Sequence, residues 1–424
     1  MAVLTAGTKT KIYTILMLLL AFGVPLHKTF SSLIILLLGL FWLIETSPAF
    51  KFRRLIHPKK TGYIIGFTAI YVFYFLGVFY SEGRLSNADT RFILQVKASL
   101  FLFPLFFATF DWDGFNPGHL KQILTFFVTG CLISSLIILG NAICTYYSTD
   151  HSSGVFFYSK LAMHHHPSYL SLIFSFAIAF LISLMLTVQT LSRRKKILII
   201  SLIIYFQVFI VLLSSKAGII GLIFLYAGVV LFAAFKMKNR LKVAAYLSAA
   251  MTFLFLLLLM LNPTVRLRFQ AAEKAMKSDY EMRSDSLESS VARILIWKSA
   301  LEIISEKPVL GVGTGDVRNE LVKKYREKKI TPAIENEYNA HNQYLQTYLA
   351  SGIAGLMVLI GCLAVAFAMA IRSGNLLYFL FALLFSFHIL VESMLERQAG
   401  VVFYAFINTL LYCFSIHNMR RSEL

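Results

Sequence analysis

Charge is scarce in this chain. Asp, Glu, Lys and Arg make up 14% of its 424 residues, against about a quarter in a soluble globular protein. That shortage excludes a surface wetted on every side. Cysteine is scarce as well. Cys131, Cys144, Cys362 and Cys413 lie in or beside apolar segments with no metal-like spacing, so neither a disulfide framework nor a zinc cage is written into the chain. No small-residue cleavage site follows the basic KTK and the apolar IYTILMLLLAFGV near the N-terminus. That block therefore reads as an uncleaved first span.

Apolar length is what the chain has in abundance. Hydrophobic residues make up 58% of it, and the mean hydropathy is +0.71. They come in blocks of about 20 residues, the length of helix that crosses a bilayer core. Only helices and closed barrels can span a membrane, and these blocks are continuous rather than alternating, which predicts helices. The expected fold is an all-α polytopic membrane protein. About twelve transmembrane helices are expected, near 12–27, 31–47, 62–80, 92–110, 121–143, 168–188, 197–213, 217–235, 243–261, 343–371, 376–391 and 400–416.

The formal charge of +19 sets sidedness rather than pointing to nucleic acid. KFRRLIHPKK (51–60), RRKK (193–196), KMKNRLK (236–242) and the tail NMRRSEL all fall on one side of the alternating spans. Basic loops mark the cytoplasmic side, so both termini are expected there. Three parts follow: nine spans over 1–261, an outer loop over 262–342, and three spans with a cytoplasmic tail over 343–424.

The outer loop carries structure of its own. SVARILIWKSALEIISEK (290–307) spaces its apolar residues as a helix does, with Ser290 as the expected N-cap. Asp316 is the expected cap of a second helix, VRNELVKKYREKK. That helix should end before Thr331-Pro332, because a residue preceding proline is pushed out of the helical region. Between the two lie Gly311, Gly313 and Gly315. They lack the Lys-Ser/Thr of a phosphate-binding loop and follow no strand, so they read as a turn.

Several polar residues face the same outer side. Lys216 in the SSK turn and Arg266 and Arg268 in NPTVRLRF have an ordinary explanation, snorkelling to the interface. Arg293 sits beside Ile294 and Trp297, near the apolar helix face, where a buried partner is expected. Together the four supply fixed positive charge to an outer pocket. Pyrophosphate is the matching anion, since guanidinium groups pair with phosphate oxygens in a bidentate fork. His164, His165 and His166 point about 100° apart if helical, so they suit a loop entering a span at Pro167 better than a metal cage. Asp111-Trp112-Asp113 spells a metal-binding D-x-D, but it faces the cytoplasm and reads as a membrane boundary. Glu392, Glu396 and Arg397 form either a surface ion pair or a lining of the outer mouth. A transporter needs charges along its path, yet within the spans only isolated groups such as Glu45 and Lys97 occur.

His341 stands where polar EYNAHNQY gives way to apolar sequence. It is expected on a helix with Tyr344, Leu345 and Tyr348 on its face and Gly352 and Gly355 below, where small residues let another helix approach.

These motifs resemble the O-antigen ligase family. The resemblance rests on His341-Asn342-x-Tyr344-Leu345 followed by Gly352-Ile353-x-Gly355. It also rests on Arg293-x-x-x-Trp297 leading to Pro308-x-Leu310-Gly311-x-Gly313-x-Gly315, and on the Ser-Ser-Lys turn at 214–216. It covers about 190–360. The family shares its domain with O-antigen polymerases and some protein O-oligosaccharyltransferases. The resemblance implies a GT-C-like glycosyltransferase of the bacterial inner membrane. Such an enzyme moves a glycan from undecaprenyl pyrophosphate at the periplasmic face, to a lipid A-core sugar in ligases or to another lipid-linked glycan in polymerases. No metal or other cofactor is expected, because no outer-face cluster has ligand spacing, and no nucleic acid, because the basic runs read as topology signals. By the same resemblance His341 is the general base, and Lys216, Arg266, Arg268 and Arg293 hold the pyrophosphate. Asn342, Tyr344, Tyr348 and His166 are then in reach of donor or acceptor. Many relatives carry arginine where Lys216 stands. Lysine keeps the charge and loses the fork.

A topology reporter fused after Lys242 is expected to read cytoplasmic, and one at Asp285 periplasmic. Alkaline phosphatase and fluorescent-protein fusions check this, and the same side for both overturns the twelve-span alternation.

Overall fold

The computed structural model describes residues 5–55, 64–82, 85–112, 114–148, 151–163, 165–262 and 289–423, with the single positions 265, 267 and 270. Asp113, His164, Arg266, Arg268 and Asp285 lie outside the described residues. Regular structure among the described residues is helical, with no strand. In chain order the α-helices are α1 (Ala6–Gly23), α2 (Lys28–Ile44), α3 (Pro48–Leu55), α4 (Ala69–Phe79), α5 (Ala88–Lys97), α6 (Ser99–Thr109), α7 (Pro117–Ser148), α8 (Tyr158–Leu161) and α9 (Pro167–Thr187). They continue as α10 (Arg193–Leu212), α11 (Lys216–Lys236), α12 (Leu241–Leu261), α13 (Ser289–Glu306), α14 (Val317–Glu327), α15 (Thr331–Glu335), α16 (Gln343–Arg372), α17 (Leu376–Val391) and α18 (Gln398–Glu423).

Each of the twelve apolar segments is helical, but not all have the length of a span. Among the described residues eight stretches are long and apolar enough to cross a membrane, with α5 and α6 counted together, or nine if α2 and α3, bent by 100°, form one span. The helical turn before α4 joins it as a shorter apolar helix, Ile64–Phe79, and α17 is another. Helix α1 carries Lys9 and Lys11 and falls outside the set. Length and composition thus support fewer spans than the twelve expected.

Burial sorts the helices. α9 and α18 are enclosed along most of their length, and with α17 they form the centre of the bundle. A helix apolar all round belongs in such a place or against lipid. α12 takes the second option, turning Tyr246, Phe253 and Met260 outward.

The described part of the outer loop is a three-helix cap. α13 packs on α14 and on α16, and α15 folds back on α14. Two local expectations are corrected. Ser290 lies inside the first turn of α13 rather than at its cap. Asp316 precedes α14 but makes no capping bond; its carboxylate accepts from the Glu82 backbone N–H at 2.6 Å, tying the cap to the end of α4.

The glycine-rich turn has a packing task. Val312 N donates to Leu349 O at 2.7 Å and Thr314 N to Gly77 O at 3.1 Å. The turn is thereby wedged between α4 and a break in α16 at Ser351–Gly352. Gly352 has φ +67, and a Cβ there would stand 1.9 Å from Val309 O. The glycine expected to admit a neighbouring helix instead breaks its own helix and admits a loop backbone. Gly352→Ala meets both the strain of a conformation at φ 67, ψ −165 that is essentially confined to glycine, about 1–3 kcal/mol, and that clash. It is expected to lower the melting temperature in detergent measurably, while Gly361→Ala, with nothing within 4 Å of the added Cβ, leaves it unchanged. Equal melting of the two proteins overturns this account of the break.

Candidate active site

Seven elements bring their ends to one place. The starts of α9, α11, α16 and α18, the ends of α5 and α17, and the inner face of α13 meet at the end of the bundle that faces the cap. The basic runs at 193–196 and 236–242 lie at the opposite ends of their helices.

Glu392 is the hub. It is the C-cap of α17 and only 3% exposed. Arg293 Nη2 donates to Oε1, and Ser168 Oγ donates to the same oxygen at 3.3 Å. His341 Nδ1 lies 3.1 Å from Oε2. Burial alone would push this carboxyl up. The His341 hydrogen bond, then the charges of Arg293 and His166, outweigh it and hold the pKa at about 2. Glu392 is therefore an acceptor at both oxygens, so the hydrogen of the His341 bond sits on Nδ1. In the neutral ring that leaves the lone pair on Nε2, the arrangement in which a carboxylate orients an imidazole base.

His341 is not on a helix. It has φ +45 and precedes Asn342, the N-cap of α16. The helix periodicity assigned to Tyr344, Leu345 and Tyr348 begins only after it. The turn is fixed on both sides: His341 N donates to Asn339 Oδ1 at 3.0 Å, and Asn342 N donates to Ser393 Oγ at 3.2 Å. Tyr338 meets the imidazole edge-on at 5.1 Å.

The other sequence candidates divide. Asn342 Oδ1 accepts from Tyr344 N and Leu345 N at 2.9 and 3.2 Å, a capping role. Tyr344 donates its hydroxyl to Ser386 O at 3.1 Å, a helix-to-helix tie. Tyr348 packs half-buried against the core. His166 caps α9, accepting from Ser168 N at 3.4 Å. Burial lowers its pKa, with Arg397, His341 and Arg293 adding to the effect and Glu392 opposing it. Lys216 opens α11 directly after Ser215, whose Oγ is 3.2 Å from Ser168 Oγ. Lys216 is thus one residue from a hydroxyl pair that ends on Glu392. Away from this place, Asp111 pairs with Arg54 at 3.0 Å.

Behind the hub lies a second buried network. Lys97, fully buried, donates to Glu396 Oε1 at 2.6 Å and to Leu395 O at 2.7 Å. Its ammonium lies 4.2 Å from the centre of the Tyr74 ring. Gln343 accepts from Leu395 N at 2.7 Å and donates to Tyr74 Oη and Glu396 Oε1 at 3.0 and 3.2 Å. The 392–397 turn is therefore locked to the start of α16 and the end of α5.

Glu392 and Glu396 were read with Arg397 as a surface ion pair or a lining of the outer mouth, and Lys97 as an isolated charge; none was read as a member of the site. The available signal was a pair of acids at the end of an apolar helix and a lone lysine in another. Removing one member of a buried pair costs about 3–5 kcal/mol. Lys97→Met is expected to destabilise the protein on that scale, and adding Glu396→Gln should recover most of the loss. Thermal unfolding in detergent checks this; identical losses in single and double variants overturn the pairing.

Comparison with known proteins adds two findings. An uncharacterized protein of Haemophilus influenzae is 29% identical over 149 residues. The match covers 35% of this chain and 36% of that protein, so this chain spans about a third of the relative's length. Residues 200–360 match the O-antigen ligase family model, a stretch that contains Lys216, Arg293 and His341 but ends before Glu392. Over residues 200–360, this polytopic chain is similar to the O-antigen ligase family.

Proposed function

We propose that the protein is a glycosyltransferase of the inner membrane, moving a glycan from undecaprenyl pyrophosphate to a lipid A-core sugar hydroxyl at the periplasmic face. The observation that carries this reading is the Arg293–Glu392–His341 constellation under the cap, inside a membrane bundle with a ligase-family domain. In the proposal both termini lie in the cytoplasm and this constellation in the periplasm.

The chemistry needs little more. His341 Nε2 takes the acceptor hydroxyl proton as the oxygen attacks the anomeric carbon. The C–O bond to the pyrophosphate breaks and its electron pair leaves with the phosphate. That leaving group is an anion, so nearby cations suffice and no metal is invoked. Arg293 gives one N–H to Glu392, and a guanidinium has five. The rest of its fork and the Lys216 ammonium are assigned to phosphate oxygens, with Arg266 and Arg268 as further candidates. The cap and the buried turn exclude water, which strengthens each of these contacts.

His341→Ala is expected to insert normally and transfer about 10²–10⁴-fold more slowly, the range for a lost general base. Glu392→Gln leaves the ring in place but no longer demands a proton on Nδ1, and should slow transfer by about 10²-fold or more. Purified protein in nanodiscs with lipid-linked donor reads both. Glu392 keeps its charge throughout the ordinary pH range. Its pKa is depressed to about 2, so the stability it confers is complete above the ordinary carboxylate value of about 4.3 and is lost only as pH drops towards 2. Full transfer by a well-expressed His341→Ala protein overturns the mechanism.

A further inference from the structure

The catalytic turn has a second side. Past His166 the structure opens into a cavity of about 750 Å³ between the starts of α2, α9 and α18 and one face of α5. Its volume lies within the usual range for small-molecule sites, about 300–1,000 Å³. Lys28 and Arg397 both line it. Among the described residues neither has an acidic partner within ion-pair distance. One acid, Glu396, shares the lining, and its charge is answered by Lys97 at 2.6 Å. The chamber is therefore net cationic. The first turns of α2 and α9 add the positive ends of their backbone dipoles. Phe92, 65% exposed, and the buried Val402 supply an apolar surface.

The walls are held before anything binds. Gln398 Nε2 donates to Ser32 Oγ at 2.5 Å, joining α18 to α2. His165 Nε2 lies 3.0 Å from Leu26 O, joining the α9 entrance to the turn between α1 and α2. A preformed site loses less on binding than one that must be ordered.

Arg293 and Lys216 are not part of this lining. Arg293 is bonded to Glu392 and Lys216 follows Ser215, and Glu392 itself does not line the cavity. A single displacement puts the entering hydroxyl and the departing pyrophosphate on opposite faces of the reacting carbon. If one cation set holds the leaving group, the chamber past His166 is placed for the other substrate. We propose that the Lys28–Arg397 cavity binds the acceptor through an anionic group on its glycan, a phosphate-bearing glycolipid headgroup. This inference rests on the glycosyltransferase reading for the identity of the acceptor; the anion site itself rests on the cavity.

The experiment compares wild type with Lys28→Gln/Arg397→Gln in nanodiscs. The probes are a phosphorylated lipid A-core glycolipid, the same glycolipid after phosphatase treatment, and undecaprenyl pyrophosphate. The double variant is expected to bind the phosphorylated glycolipid about tenfold or more weakly, the effect of removing charge-assisted contacts. Its affinity for the dephosphorylated glycolipid and for undecaprenyl pyrophosphate should be unchanged. In transfer assays KM for the phosphorylated acceptor should rise while KM for the donor holds. Lys28→Arg/Arg397→Lys, which keeps both charges, should restore binding. A loss confined to undecaprenyl pyrophosphate overturns the assignment and makes this the donor's chamber. Unchanged binding of all three probes overturns the anion site altogether. Should wild type bind the phosphorylated glycolipid through these charges yet transfer nothing, the glycosyltransferase reading fails while the anion site stands.

Discussion

A carboxylate taken out of water has to be paired, and Glu392 is the carboxylate around which the upper end of this bundle is organised. Its partners come from four elements: the cap helix α13, the turn before α16, the start of α9 and, through Ser168, the start of α11. None of these contacts would repay the removal of an unpaired ion from water. Met together they fix the relative positions of cap, bundle and histidine, so one electrostatic requirement sets both architecture and tautomer.

The second network makes that hub rigid. Lys97 and Gln343 grip the same 392–397 turn from below, through Leu395 and Glu396. Tyr169 adds a bond to Ser393 O at 2.9 Å. In the proposed mechanism the His341 lone pair has to stay aimed, and the groups that aim it are themselves hydrogen-bonded in both networks. The glycine-rich turn serves the same end, seating the cap in the break of α16. A motif that resembles a phosphate cradle in one dimension is a backbone-on-backbone joint in three.

Much of the fold was legible residue by residue. Hydropathy is a local property, so each of the twelve apolar segments is helical, and the helices of the outer loop appear at 289–306 and 317–327. The number of spans was less legible, because α1 carries two lysines and Ile64–Phe79 and α17 are apolar but short. His341, Arg293 and His166 were legible as candidates because their residue types are costly at a membrane face. Tyr344 and Asn342 share the same motif, yet their polar atoms face their own scaffold.

The sequence by itself determined that this is a helical membrane protein with its chemistry-bearing residues gathered on one side, because apolar blocks and basic runs act through near neighbours. Only the tertiary structure decided which of those residues form a site. His341 and Glu392 are 51 positions apart, Arg293 and Glu392 are 99, and Lys97 and Glu396 are 299. Over such separations no periodicity or spacing distinguishes a buried acid that holds a base from one that ends a helix at the surface. What distinguishes them is the loss of water when helix ends converge, and that happens only on folding.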